Sequence, residues 1–195
     1  MKRLGICALI FLAAAAAAAN AAGRHSAAPN AARCGGQLWR LKTFSDTQRR
    51  KVDVSPQNTT IGAIRERRAP GSPPSRRKTA FQLQTWEVPA QITAYRIDEF
   101  GSLRLVLFDQ AAYINAVIPS PDCLSASTRN RVRIVAAWQE FIGKCGKPSE
   151  TWQSLGAIFF VRGVGFWSQK RPLRGAAPNG AELQPVTGLR LVAGC

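Results

Sequence analysis

Residues 103–118 read LRLVLFDQAAYINAVI, and this stretch decides the fold class. Two apolar runs with high β propensity, 103–108 and 113–118, are separated by a short polar turn. Runs of this length between turn residues are typical of β-strands that pair in a hairpin. Upstream, residues 86–95 alternate apolar and polar side chains, which indicates another strand that is buried on one face. The three runs together predict a meander of strands.

A helix and two further strands follow the meander. Within residues 127–143 the apolar side chains recur at the spacing of one helix face. Residues 157–167 and 181–192 are again apolar runs of strand type. This order matches a five-stranded OB-like barrel with one helix between strands three and four. We therefore predict a mainly β (α+β) fold of this type over residues 81–195. A helix packed on an open antiparallel sheet is the alternative.

The first residues have the pattern of an export signal. Lys2 and Arg3 precede an uncharged run at residues 4–19, and Ala19-Asn20-Ala21 forms a small-x-small cleavage site. This order is typical of a secretory signal peptide, predicted here for residues 1–21. The apolar run is shorter than the about 20 residues that span a bilayer. We expect a secreted or periplasmic protein with no transmembrane segment after removal of the signal.

The chain is strongly basic, and most of the excess charge lies near its start. The formal net charge is +16, which loss of Lys2 and Arg3 would reduce to +14. Residues 24–80 hold 13 Lys and Arg but only 3 Asp and Glu. We predict that residues 22–80 form a basic, Pro/Ser-rich and partly disordered segment. A surplus of this size attracts polyanions over about 8–10 Å. The alternative interpretation is that the charge only keeps the protein soluble.

Four cysteines remain once the signal peptide is removed, because Cys7 lies within it. An even number of cysteines in an exported protein predicts two disulfides. From their positions along the chain, we expect Cys34 to pair with Cys195 and Cys123 to pair with Cys145. The first bridge would join the two ends of the mature fold, and the second would bracket the helix.

The residues needed for most enzyme mechanisms are missing from the predicted barrel. The single histidine of the chain, His25, precedes the barrel. Ser-His-Asp, Cys-His and zinc-hydrolase mechanisms therefore lack their proton carrier or ligand. No nucleophile elbow, phosphate-binding glycine loop or dinucleotide fingerprint is present. We predict no catalytic residue, no metal ligand and no cofactor.

Binding of an anionic polymer requires less of the sequence. OB barrels bind nucleic acid with aromatic platforms on strands two and three, and with basic groups along a groove. Basic clusters outside the barrel add affinity by counterion release without reading sequence. The candidate binding residues are Arg96, Arg104, Tyr113, Arg162, Trp167, Arg65, Arg67, Arg68, Arg76, Arg77 and Lys78. Ordinary cross-strand pairing is the alternative interpretation for Tyr113.

The strand order resembles that of staphylococcal-type nucleases, OB-fold enzymes that cleave nucleic acid with Ca²⁺, carboxylates and two arginines. The carboxylates that this resemblance would match to the Ca²⁺ site are Asp98, Glu99 and Asp109, which flank the second predicted strand. The arginines that it would match to the phosphate-binding pair are Arg104 and Arg162, on strands two and four. The Asp-Gly-Asp-Thr turn of that family is replaced here by Asp-Glu-Phe-Gly-Ser, and the third strand carries no arginine. The resemblance implies at most a degenerate Ca²⁺-dependent nuclease.

Several motifs are similar to those of a group of secreted bacterial proteins that has no assigned function. The shared segments are Cys34-Gly35, Trp39-Arg40-Leu41-Lys42-Thr43, Asn58-Thr59-Thr60, Leu105-Val106-Leu107-Phe108-Asp109, Pro119-Ser120-Pro121-Asp122-Cys123, Gly163-Val164-Gly165-Phe166-Trp167 and the run from Ala177 to Val186. Members of the group carry histidines where this chain has Ser102-Leu103-Arg104 and Gln184. The likeness implies export and adds no reaction.

These observations predict a secreted basic OB-like module that binds an anionic polymer, with nucleic acid first, and they favour binding over catalysis without deciding whether the protein is an enzyme. The degenerate nuclease is one alternative. The other is a structural or interaction module of the cell envelope, in which the basic segment binds a wall polymer or a partner protein.

Overall fold

The computed structural model of the protein describes residues 34–195. The predicted signal peptide and the start of the predicted basic segment lie outside the described residues. The described chain is mostly β-structure, with six strands and few helices. The helices are α1 (Trp39–Lys42), α2 (Ile61–Arg65) and α3 (Arg131–Cys145), and the strands are β1 (Asp53–Asn58), β2 (Gln84–Ile97), β3 (Leu103–Asp109), β4 (Ala112–Ile118), β5 (Gln153–Trp167) and β6 (Ala181–Ala193).

Five of the strands pair in a ring. β2 pairs with β3, β3 with β4, β4 with β6, β6 with β5, and β5 pairs again with β2. These pairings are antiparallel except for β4–β6, which meet in parallel over two residue pairs, Asn115–Glu182 and Ala116–Leu183. Because α3 comes between β4 and β5, the observed order of strands and helix is the one that the sequence predicted for residues 81–195.

The sixth strand, β1, was not predicted. It pairs in parallel with the first part of β2, and five of its six side chains are exposed. Its sequence, DVSPQN, shows no apolar alternation and contains Pro56. Proline is tolerated on an edge strand, because there it need not donate to a ladder. The strand count is therefore six and not the predicted five.

The core lies inside the ring and under α3. On β3, Leu103, Leu105 and Leu107 are fully buried, and Val106 on the opposite face is buried as well. Ile134 and Phe141 of α3 pack against the same cluster. Each such side chain contributes about 1.5–3 kcal/mol by leaving water.

α3 begins later than the sequence predicted, because the residues before it make tertiary bonds. The backbone N–H of Arg129 donates to the carbonyl of Phe44 at 2.9 Å. Its guanidinium donates to the carbonyls of Arg49 and Val52. These bonds connect the start of the helix to the front segment, so the regular helix starts at Arg131.

Residues 34–80 differ from the irregular segment that we expected. They form α1, β1 and α2, and Phe44 and Val52 pack with Val164 of β5 in a second small core. α1 forms in a run, residues 38–43, whose short alternation of side chains would favour a strand. The helix is closed by the hydroxyl of Thr43, which donates to the carbonyl of Trp39 at 3.0 Å.

A buried arginine joins this front segment to the ring. The guanidinium of Arg77 donates to the carboxylate of Asp46 at 3.1 Å and to the carbonyl of Leu41 at 2.9 Å. It also donates to the carbonyl of Gln82, just before β2, at 3.3 Å. Only 2% of Arg77 is exposed. The side chain is therefore an internal connection between α1, the following loop and the turn that leads into β2.

The disulfide pairing that we expected is wrong. The structure joins Cys34 to Cys123 and Cys145 to Cys195, with Cα–Cα distances of 5.4 and 4.8 Å. α3 ends at Cys145, and its 15 residues alone extend about 22 Å at 1.5 Å per residue. Because bridged Cα atoms lie within about 7 Å, a Cys123–Cys145 bridge would require the chain between Cys123 and Arg131 to run back along this helix.

Peptide mapping of the oxidised protein should recover the Cys34–Cys123 and Cys145–Cys195 cross-links. Replacing Cys145 and Cys195 together by Ser should lower the free energy of unfolding by about 2–4 kcal/mol, because the bridge closes a loop with a sequence separation of 50 residues. Urea unfolding of the wild type and the double variant measures this difference. Recovery of a Cys123–Cys145 peptide would contradict the structure.

Candidate functional site

The outer surface of β3 and β4 carries an exposed aromatic pair. Phe108 and Tyr113 lie opposite each other in the ladder, and their ring centroids are 4.7 Å apart. Tyr113 is 42% exposed, whereas its neighbour Ile114 is fully buried in the core. The alternation of β4 therefore turns Tyr113 to the outside. The predicted binding residue Tyr113 is in a position to stack on a ligand.

A second predicted strand residue, Arg104, is held by carboxylates. Its guanidinium lies 3.3 Å from Glu182 Oε1 on β6 and 3.8 Å from Asp98 Oδ2. Only 11% of its side chain is exposed. Lys42 of α1 is near the same charges; burial lowers its pKa, and the charge of Glu182 opposes this shift. Arg104 thus belongs to an internal charge network.

Asn115 is a polar residue of the same outer face that sequence analysis missed. It is fully buried, and neither its amide nitrogen nor its amide oxygen has a hydrogen-bond partner within residues 34–195. In the ladder it stands opposite Val106 on one side and Glu182 on the other. The signal that could have found it is an amide in the middle of the apolar run YINAVI.

The connection between β5 and β6 covers part of this face. A Cβ atom added to Gly175 would lie 2.5 Å from Cγ1 of Val106, so the backbone here packs directly on β3. Gly175 also has a φ of +71°, which favours glycine. The preceding residue, Arg174, places its guanidinium 5.5 Å from the ring centroid of Trp152. Arg96 lies 5.0 Å from the same indole ring. Two cations therefore share one aromatic side chain beside the outer face.

The predicted basic clusters of the front segment lie near the start of β2. Arg67 stacks over the ring of Trp86 at 4.1 Å, and Arg65 is half-buried. Arg68, Arg76 and Lys78 are exposed. Asn179, in the β5–β6 connection, donates to the carbonyls of Arg67 and Ile64 at 3.1 and 3.0 Å. The two basic clusters are residues 65–68 and 76–78, and this connection contacts the first basic cluster directly.

Two predicted binding residues prove to be buried. Trp167 is 2% exposed, and its indole N–H donates to the hydroxyl of Thr79 at 3.0 Å. The nearby Gly165 allows the backbone of Phe81 to approach this strand closely. Arg77 is the internal connection described above. Trp167 and Arg77 therefore do not belong to a binding surface.

Arg162 is partly exposed but is paired. Its side chain is 46% exposed and forms an ion pair with Glu87 on the neighbouring strand β2. Within residues 34–195 the ion pairs engage three arginines, Arg77, Arg104 and Arg162. The other predicted cations have no carboxylate within 4 Å in this part of the chain. The predicted binding cations without an ion pair in this part of the chain are Arg65, Arg67, Arg68, Arg76, Lys78 and Arg96.

A shallow groove brings an aromatic side chain close to two of the cations that have no carboxylate partner. Its volume is about 320 Å³, and its lining includes Trp39, Arg40 and Arg76. Arg40 and Arg76 come from α1 and from the second basic cluster, which the fold of the front segment brings together. The groove was not predicted, because the segment that forms it was expected to be irregular.

The residues that the nuclease resemblance singled out are not brought together. Asp98 and Arg104 meet, but Asp109 is at the far end of β3, and Arg162 is paired on β5. Among residues 34–195, no three His, Cys, Asp or Glu side chains are grouped closely enough to hold a metal ion.

Comparisons with known proteins do not identify the chain. No protein-family model matches it, and no curated protein matches it. Among solved structures, it is similar to part of a protein from Leishmania major Friedlin that is described as an aspartyl-tRNA synthetase. The sequence identity is 14%, the TM-score is 0.43, and the alignment covers 74% of this chain and 22% of that chain. A likeness at this level assigns neither fold nor function.

Two further observations concern the membrane and the redox compartment. In the described range, no helix is both long and apolar enough to cross a membrane. The two disulfides are typical of proteins that fold in an oxidising compartment.

The buried carboxyl of Asp98 gives the site a pH dependence. Burial raises the pKa of Asp98 above its ordinary 3.8, although the backbone N–H groups of Ser102 and Phe100 and the charge of Arg104 oppose the shift. Because the folded protein favours the protonated carboxyl, this group stabilises the fold fully at a pH below its pKa in the unfolded chain. The stabilisation is lost as the pH rises through the higher pKa of Asp98 in the folded protein.

Replacing Asp98 by Asn tests this, because the amide oxygen can still accept both backbone bonds. The free energy of unfolding of the wild type minus that of the variant should decrease as pH rises from about 3 to about 7. Urea unfolding at several pH values measures the difference. An increase with pH would show that the folded protein lowers the pKa of Asp98.

Proposed function

We propose that the protein is an exported module that binds an anionic polymer, with single-stranded nucleic acid as the first candidate. The observation that carries this proposal is the set of exposed cations without carboxylate partners in the front segment, Arg68, Arg76 and Lys78. In a folded protein an exposed and unpaired cation keeps its full attraction for phosphates.

The strand pairings support the OB-like barrel as the architecture of this module. The ring β2–β3–β4–β6–β5 repeats the order of a five-stranded OB barrel, with α3 between its third and fourth strands. On this interpretation β1 is an addition to the edge of the first barrel strand. The outer surface of β3 and β4 then corresponds to the surface on which OB folds bind oligonucleotides.

The two parts of the proposed interface are physically connected. Gly175 packs on Val106, two residues from Phe108 along β3, and Asn179 of the same connection bonds to Arg67. The β5–β6 connection thus leads from the aromatic pair to the first basic cluster. We infer that bases stack on Tyr113 while the backbone phosphates contact the basic clusters.

Export is part of the proposal. The signal-peptide pattern of residues 1–21 and the two disulfides support it. A polyanion outside the cytoplasm would then be extracellular nucleic acid or an anionic polymer of the envelope.

Removal of the exposed cations should weaken binding and its salt dependence. The variant Arg68→Ala, Arg76→Ala, Lys78→Ala should reduce the slope of log K against log salt by about 2, because each contact to a single strand contributes about 0.7. Fluorescence anisotropy of a labelled single-stranded oligonucleotide, titrated at several salt concentrations with the oxidised protein, measures this.

The matched control removes three exposed cations from α3 instead, as Arg131→Ala, Arg133→Ala, Lys144→Ala. It should leave the slope close to that of the wild type. If both variants weakened binding equally, binding would depend only on the net charge of the protein and not on the basic clusters. No binding even at low salt would overturn the proposal and favour an envelope interaction module. Loss of intact oligonucleotide only in the presence of Ca²⁺ would favour the nuclease.

The aromatic pair should contribute separately from the cations. Tyr113→Ala should weaken oligonucleotide binding by about 1–3 kcal/mol, because a base loses its stacking partner, without changing the salt slope. Tyr113→Phe retains the ring and should bind like the wild type. The same anisotropy titration serves as the measurement, and an unchanged affinity of Tyr113→Ala would exclude the outer face of β4 from the interface.

A further inference from the structure

A large cavity opens at the end of β2, away from the basic clusters at its start. Its volume is about 650 Å³, which is within the range of small-ligand sites. Four parts of the chain enclose it: the turn between β2 and β3, the chain after β4, one side of α3, and the connection from α3 to β5. Of the predicted binding residues only Arg96 lines this cavity, and the proposed interface at Tyr113 and the basic clusters lies outside it.

The lining of the cavity is acidic in a strongly basic protein. Four of the eleven Asp and Glu residues of the chain line it, namely Asp98, Glu99, Asp122 and Glu150. The basic residues of the lining are Arg96 and Lys147. The guanidinium of Arg96 stacks over Trp152. The cavity therefore favours a cation, whereas the net charge of the chain favours anions.

Most of these carboxylates lack a protein partner. Within residues 34–195, the side chains of Glu99, Asp122 and Glu150 form no hydrogen bond and no ion pair. Asp98 accepts the backbone N–H groups of Phe100 and Ser102 through Oδ1, and its Oδ2 has Arg104 at 3.8 Å. Carboxylates therefore outnumber basic side chains in the lining by four to two.

Ser120 provides a second and independent observation. It lines the cavity and is only 4% exposed, and its hydroxyl has no hydrogen-bond partner in the described part of the chain. This free hydroxyl borders the cavity, so a ligand there can accept a hydrogen bond from it or donate one to it.

The remaining lining is apolar. Trp138 and Ile142 of α3 face the cavity together with Ile97 of β2 and Pro148. An indole and aliphatic side chains pack well against an alkyl chain, and the face of an indole attracts an ammonium group.

The arrangement of the carboxylates distinguishes among cations. Asp98 and Glu99 are on the β2–β3 turn, Asp122 follows β4, and Glu150 is on the α3–β5 connection. In residues 34–195 no three such groups are close enough to share one metal ion. A ligand with separated positive charges on a flexible apolar chain fits this spread better than a single ion.

We propose that this cavity binds an aliphatic di- or polyamine. The ammonium groups pair with the carboxylates of the β2–β3 turn, the segment after β4 and the α3–β5 connection. The alkyl chain lies on Trp138 and Ile142, and an amine N–H donates to the hydroxyl of Ser120.

Isothermal titration calorimetry with spermidine, at constant ionic strength and with the oxidised mature protein, tests this. The variant Asp122→Asn, Glu150→Gln should bind spermidine about tenfold more weakly. Both side chains are exposed and make no bonds in the described chain, so the fold should remain intact, as near-ultraviolet circular dichroism can verify.

The control variant Glu66→Gln, Glu140→Gln removes two carboxylates outside the cavity and should bind as the wild type does. 1,6-Hexanediol, which has the apolar chain without the charge, should not bind. Absence of spermidine binding, equal weakening by both variants, or displacement of spermidine by an equal concentration of Mg²⁺ would overturn the proposal. None of these results depends on nucleic-acid binding, so the two proposals fail separately.

Discussion

The buried guanidinium of Arg77 is the contact on which the front half of the molecule depends. It neutralises Asp46 and also satisfies two carbonyls, those of Leu41 and Gln82, which come from different segments. A buried charge is tolerated only when it is paired and hydrogen-bonded, and loss of one partner of such a pair typically costs about 3–5 kcal/mol. This one side chain therefore holds α1 and its following loop against the turn that leads into β2. The exposed neighbours Arg76 and Lys78 are presented to solvent because Arg77 is fixed inside.

The fold separates charges that the sequence intermixes. Basic side chains of the front segment collect around the start of β2 and the β5–β6 connection, whereas four carboxylates collect around a cavity at the end of β2. Two carboxylates near the cations, Asp46 and Glu87, form ion pairs with Arg77 and Arg162. Segregation of this kind gives one molecule two surfaces of opposite potential. A polyanion and a polycation could therefore be held by the same protein without direct competition.

Short sequence patterns predicted the strands, because strand formation depends mainly on neighbouring residues. The apolar runs of residues 103–108 and 113–118 predicted the strands β3 and β4, because side chains with high β propensity fit a pleated and buried surface. β1 was missed since an edge strand needs no apolar alternation. The disulfide pairing, the burial of Trp167 and the role of Arg77 depend on which distant segments meet, and a basic run shows no difference between Arg77 and its neighbours. For the same reason the acidic cavity was not foreseen: its carboxylates are spread from Asp98 to Glu150 and converge only in three dimensions.

The pairing of β2 with β1, β3 and β5 has a consequence for how the chain folds. β5 begins at Gln153, so the β2–β5 ladder can form only after most of the chain is available. Until then β2 has an open edge of unpaired N–H and C=O groups, which is a template for pairing with other chains. Contacts of such long sequence separation also make folding slow. The period before ring closure is therefore the interval in which this protein is most vulnerable to aggregation, and a chaperone that shields the free edge of β2 would act there.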